Sequence, residues 1–163
     1  MKKQRRNFAS VTPFSTDHGA WTLEDGKLKL LHLEPAFAYT GGYYAEDCEI
    51  SVSVTPQHGE SHLVVGRALG AQRCYAAGMV CSGRLAILKN DFGFSAIAER
   101  AFNWEKGRGY QLTLQCIGKR LTLLVDGEEV LSAEDAAYSH GMFGCGSLGV
   151  GRTDFGDFAF REL

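Results

Sequence analysis

Three carboxylates crowd residues 46–49 of this 163-residue chain: Glu46, Asp47 and Glu49. Side chains at alternate strand positions project to one side, and two carboxyls about 5 to 5.5 Å apart can serve as nucleophile and acid in retaining glycoside hydrolysis. The full E-x-D-x-E or E-x-D-x-x-E set is absent, because Asp47 and Glu49 share a parity that Glu46 does not. A solvated strand edge without catalysis is expected there. His58 and His62 bracket Glu60 in HGESH, but a zincin needs H-E-x-x-H on a helix, and Pro56 and Gly59 impose a loop, so no metal site is expected. Gly144, Gly146 and Gly149 satisfy G-x-G-x-x-G, yet the strand-like VGRTDFGDFAF follows where a helix N-terminus would have to hold a pyrophosphate. The two Asp-Phe-Gly tripeptides, at 91–93 and 154–156, read as turns in a chain far too short for a kinase. No Ser lies in G-x-S-x-G, and no C-x-x-C spacing links the five cysteines.

The remaining chemistry is that of binding. Sugars are held by planar polar side chains that bridge adjacent hydroxyls and by a ring stacked on the apolar sugar face, so the pattern sought is Arg, Asp, Glu or Gln near Tyr or Trp. Two places fit it. Arg67 lies on a predicted strand that pairs, across the Gly70-Ala71 turn, with a strand carrying Arg73 and Tyr75; Trp104 precedes Glu105 and Lys106. Arg67, Arg73, Tyr75 and Trp104 are therefore the candidate ligand-binding residues, and exchange of Arg67 for Ala is expected to abolish sugar binding. Arg67 shares parity with Leu63 and Val65, which also permits it to snorkel at the core edge. A Trp just before a strand is equally suited to plug the core. His140, Asp154 and Asp157 fall in late segments that could contribute to a site.

The elements that must position these residues are almost all strands. His62–Leu69, Cys74–Val80, Arg84–Lys89, Phe94–Phe102 and Tyr110–Leu131 are runs rich in β-branched or aromatic residues, bounded by Gly, Asn or Asp turns. Trp21–Glu24 and Lys27–His32 flank Asp25-Gly26, and Leu121–Val125 leads into Asp126-Gly127; both dipeptides signal tight hairpins. Cys48, Ile50, Val52 and Val54 alternate with Glu49, Ser51 and Ser53, so one face is core and the other wet. Phe155–Leu163 supplies a closing strand, Glu34–Tyr44 reads as a loop, and Ser132–Tyr138 is the sole candidate helical turn. The expected fold is an all-β, two-sheet antiparallel sandwich in a single domain over 1–163, with about 1–15 flexible.

Composition agrees with an ordinary globular protein: 45% hydrophobic, 22% charged and a net charge of −2, which gives no electrostatic reason to seek nucleic acid or anionic lipid. The basic start MKKQRR has no apolar stretch behind it, and no run of about 18 apolar residues is present for a membrane helix. An odd number of cysteines inside predicted strands (Cys48, Cys74, Cys81, Cys116, Cys145) fits reduced, packed thiols, with Cys48 and Cys116 on core-facing parity. A soluble, cytoplasmic protein is expected.

From Trp21 onward, the segment DCEISVSVTPQHGESHLVVGRALGAQRCYAAGM, the W-x5-Y-x-L-x-L-x6-L spacing from Trp104 to Leu121, the Asp-Gly-Glu turn and the terminal DFGDFAF resemble the concanavalin A-like lectin/glucanase superfamily. The likeness is closest to noncatalytic jelly-roll modules attached to glycosidases, in particular the C-terminal β-sandwich fused to some ADP-ribosylglycohydrolase-family enzymes. It implies a carbohydrate-binding-type accessory module with a sugar or sugar-containing ligand and a catalytic domain as partner. Members also include structural or interaction domains without a small-molecule ligand, and glucanases, so both remain as alternative readings. The superfamily often uses calcium held by loop carboxylates and carbonyls, whereas this sequence has no recognisable calcium loop.

Overall fold

The computed structural model describes residues 6–7, 15–16, 19–32 and 34–163. The expected flexible stretch 1–15 lies outside the described residues except at 6–7 and 15. In chain order the strands are β1 (Arg6–Asn7), β2 (Ser15–Thr16), β3 (Ala20–Glu24), β4 (Lys27–His32), β5 (Ala36–Thr40), β6 (Cys48–His58), β7 (His62–Gly70) and β8 (Arg73–Cys81). They continue as β9 (Arg84–Asp91), β10 (Phe94–Ala101), β11 (Tyr110–Ile117), β12 (Arg120–Val125), β13 (Glu128–Glu134), β14 (Met142–Ser147) and β15 (Gly151–Glu162). One sheet runs β13-β12-β11-β6-β15-β4-β3, with β1 also on β15; the other runs β10-β9-β8-β7-β14-β5-β2, and every pairing is antiparallel. The fold is an all-β antiparallel sandwich.

The alternation read in β6 holds. Cys48, Ile50, Val52 and Val54 are buried, and their register partners Cys116, Leu114, Leu112 and Tyr110 on β11 bury the same face. Val64, Tyr75, Ala77, Met79, Leu85 and Ile87 of the second sheet close over them in one core. Both Asp-Gly dipeptides turn as their chemistry demands: Asp25 and Gly26 have φ of 52° and 72°, Asp126 and Gly127 of 52° and 89°. Positive φ at both central residues matches the right-handed strand twist of a two-residue hairpin.

Two segments depart from expectation. Glu34–Tyr44 contains β5, whose five residues AFAYT are all buried. Its period-two signal is masked because the second sheet is covered on both faces: Ala36 and Ala38 join the main core, while Phe37 and Tyr39 join a second cluster with Leu63, Val65, Cys74, Ala76, Ala86 and Leu88. Ser132–Tyr138 forms no helix; β13 extends to Glu134 by pairing with β12, and a loop follows. Cross-strand pairing there overrides the helix propensity of SAEDAAY.

The core sets a direct expectation. Leu114→Ala, at a fully buried position, should lower the unfolding free energy by about 3 kcal/mol. Leu31→Ala, on a residue 60% exposed, should cost under about 0.5 kcal/mol, and urea denaturation of the two variants checks the difference.

Candidate functional site

The chain direction of each strand places the segments 41–47, 118–119 and 135–141, together with the end of β15, at one end of the sandwich. Beneath this rim lies Arg67. Val65 faces the second cluster, and Gly66 faces the main core, where an added Cβ would meet Cys116 Sγ at 3.1 Å and Ile50 Cδ1 at 3.2 Å. Strict alternation would send Arg67 outward with Val65. Instead the β7–β8 register breaks between Gly66 and Gly70, and Arg67 adopts φ of 49°. This bulge turns its side chain inward, where it is 1% exposed.

The guanidinium then joins three loops. Nε donates to Glu46 O at 3.2 Å, Nη1 to Gly118 O at 2.7 Å and to Tyr138 O at 3.1 Å, and Nη2 to Asp47 Oδ1 at 3.2 Å. Asp47 Oδ1 also accepts the Gly118 N–H at 2.8 Å, and Gly141 N–H donates to Ala45 O at 3.1 Å. Gly141 has φ of 147°, and a Cβ there would sit 2.5 Å from the Arg67 carbonyl carbon, so the loop backbone lies directly on the bulge.

A second knot secures the 135–141 loop. Tyr75 Oη donates to Asp135 Oδ1 at 2.5 Å and accepts the Tyr138 N–H at 3.1 Å; Lys89 Nζ reaches Asp135 Oδ2 at 3.1 Å, and Tyr138 Oη donates to Asn90 O at 2.7 Å. Burial and the bond to Asp135 hold the Tyr75 phenol well above its ordinary range. Burial alone would raise the Asp135 carboxyl, but donation from Tyr75, the Ala137 N–H and Lys89 brings it below its ordinary value.

The four residues singled out from sequence are thus not assembled into one surface. Arg67 and Tyr75 are buried framework, at 1% and 0% exposure, their polar atoms engaged within the protein. Arg73 stands outside at the β7–β8 turn, with its guanidinium 5.1 Å from the Phe92 ring and 4.0 Å from Asp91. Trp104 lies at the opposite end of the sandwich, half-buried, donating from Nε1 to Cys81 O at 2.9 Å and standing edge-on to His62. Of the late residues, Asp154 lies buried in β15 and accepts from Gln57, Asp157 occupies a β15 bulge with φ of 49°, and His140 reaches the rim.

What the rim presents is different. Tyr44 is 83% exposed and stacks with His140 at 6.0 Å and 20°, while Tyr43 meets both rings edge-on at 5.3 and 5.4 Å. Beside this aromatic shelf opens a cavity of about 410 Å³ lined by Tyr44, Glu46, Asp47, Glu162 and Leu163. Carboxylates accept hydrogen bonds from vicinal hydroxyls, and an exposed ring offers a face to an apolar patch. The signal was present as an aromatic doublet two residues before Glu46-Asp47, within the stretch read only as a loop. Among the described residues no group of three or more His, Cys, Asp or Glu side chains is placed to hold a metal ion.

No family model matches the sequence, and no curated protein matches it. Solved structures do. The carbohydrate binding module CBM66 from Bacillus subtilis superposes with a TM-score of 0.82 at 19% identity, covering 91% of this chain and 94% of that one. A protein of unknown function with a galectin-like fold from Bacillus subtilis gives 0.71 at 11% identity, covering 98% and 94%. The exoplasmic/lumenal domain of VIP36, in a form bound to Ca2+ and Man3GlcNAc, gives 0.70 at 12% identity, covering 92% and 84%. The chain has the lectin-like β-sandwich fold.

Two outcomes follow from the knots. Arg67→Met strands three carbonyls and Asp47, and should lower stability by about 3–5 kcal/mol in chemical denaturation, so lost sugar binding in an Arg67 variant would report on folding. Asp135 stabilises the fold fully above the unfolded carboxylate value of about 3.9, and that contribution disappears as pH falls through its lowered folded-state value. Asp135→Asn should therefore be less stable than the parent at neutral pH, with the gap closing in acid below about pH 4; thermal melts across pH measure it.

Proposed function

We propose that this chain is a noncatalytic carbohydrate-binding-type module that takes a neutral sugar at the rim formed by Tyr44, Glu46, Asp47 and Glu162. One observation carries the reading: a highly exposed ring flanks a carboxylate-lined cavity whose backbone is held in place from below. The acceptors suit hydroxyl donors, and their negative charge disfavours anionic sugars. The likeness of the fold to CBM66 and to the mannoside-bound VIP36 domain supports this class of ligand. The absence of an E-x-D-x-x-E strand motif supports a role without catalysis. In a cytoplasmic setting the module serves as part of, or partner to, a glycohydrolase such as an ADP-ribosylglycohydrolase, a reading supported by the sequence resemblance.

Calorimetric titration with a panel of neutral mono- and oligosaccharides tests the proposal. A binder should emerge, and Tyr44→Ala should weaken it about tenfold, or roughly 1.4 kcal/mol, with the melting temperature of the free protein unchanged. Failure of every sugar to bind would point instead to an interaction domain without a small-molecule ligand, and a Tyr44→Ala variant with parental affinity would show that the sugar binds away from this rim.

A further inference from the structure

We propose that Cys48 and Cys116 form a redox-modification site, a dithiol that a small peroxide converts into a cross-strand disulfide. Cys48 opens β6, Cys116 sits near the end of β11, and the two are direct register partners. Both are free thiols, 1% and 0% exposed. Directly opposed antiparallel residues have Cα atoms about 4.5 to 5.5 Å apart, inside the disulfide range of about 4.4 to 6.8 Å. The bond therefore forms without sliding either strand. Interaction with the Cys116 thiol, helped by the charge of Arg67 and opposed by burial, draws the Cys48 thiol below its ordinary value. The same interaction pushes Cys116 up. Cys48 is the thiol whose chain neighbour and strand partner line the rim cavity, which makes it the attacking sulfur and Cys116 the resolving one.

Both thiols are closed to bulk solvent, with the rim cavity beside Cys48 along the chain. On the facing sheet Gly66 leaves open the space that a Cβ would take 3.1 Å from Cys116 Sγ. Cys48 follows Asp47 in the chain and is the register partner of Glu162 across β15, and both of these residues line the rim cavity. A molecule the size of water in that cavity is one residue away from the Cys48 position. The remaining thiols lack this geometry: Cys74 faces Asn90, Cys145 faces Ala38 and Val64, and Cys81 faces Arg84.

The chemistry balances with hydrogen peroxide as the oxidant. The Cys48 sulfur attacks one peroxide oxygen, the O–O bond breaks, and the departing hydroxide takes a proton to leave as water, giving Cys48 sulfenic acid. Cys116 then attacks the Cys48 sulfur; the S–S bond forms as the S–O bond breaks, and the second hydroxide leaves as water with the Cys116 proton. Two electrons pass from the dithiol to the peroxide. The product fastens β6 to β11 at the ends that carry Asp47 and Gly118, both partners of Arg67.

The test treats the folded, unmodified chain with hydrogen peroxide, blocks residual thiols after unfolding, and maps the non-reduced peptides by mass spectrometry. The expected product is a linked peptide pair containing Cys48 and Cys116, lighter by two hydrogens and released by dithiothreitol. In Cys116→Ser, Cys48 should instead accumulate as a sulfenic acid trapped by dimedone. Recovery of both cysteines as blocked thiols under conditions that oxidise Cys81 would overturn the proposal, as would over-oxidation without a link or a link from Cys48 to another cysteine. The readout needs no sugar, so it stands or fails separately from the binding reading.

Discussion

A charged side chain with 1% of its surface exposed must meet its hydrogen-bonding needs inside the protein, and Arg67 does so through Glu46, Asp47, Gly118 and Tyr138. Three of its acceptors are backbone carbonyls from three different loops, groups that would otherwise be orphaned at the end of a sandwich. The guanidinium fork suits this task because its donors diverge in a plane at fixed angles. Placing it there requires a non-glycine residue in the left-handed region, which costs about 1 to 2 kcal/mol. The rim bonds offset that strain, and the rim has its shape because of them.

The two knots divide the labour. Arg67 fixes the loops around Asp47, while Tyr75, Lys89 and Asp135 fix the start of the 135–141 loop, at whose far end His140 stacks on Tyr44. Rings and carboxylates at the surface are thus backed by buried polar groups rather than by mobile loop backbone. A surface pre-shaped in this way would lose less conformational entropy on taking a ligand.

The sheets were legible because their inward faces obey a period of two, and the Asp-Gly hairpins because only a few residues accept positive φ twice in succession. β5 was hidden by its burial on both faces. The site was harder, and the reason lies in one residue. Parity assigned Arg67 to the side of Leu63 and Val65, but a bulge is a local break in parity that leaves little trace in sequence beyond Gly66 and Gly70. The pattern sought was a planar polar side chain beside a ring; at the rim it recurs as Tyr44 with Glu46 and Asp47, in segments that only the tertiary fold brings to Glu162 and His140.

The final strand has a consequence for how the molecule is made. β15 is not an edge but lies between β6 and β4 in the middle of its sheet, and it pairs residues roughly a hundred positions apart along the chain. Contacts of such sequence separation form late and slowly. During translation the first sheet stays split, with the flank of β6 unpaired, until residues 151–162 have cleared the ribosome. A nascent chain stalled short of that point would carry β6 with one flank unpaired, the kind of strand edge that chaperones shield.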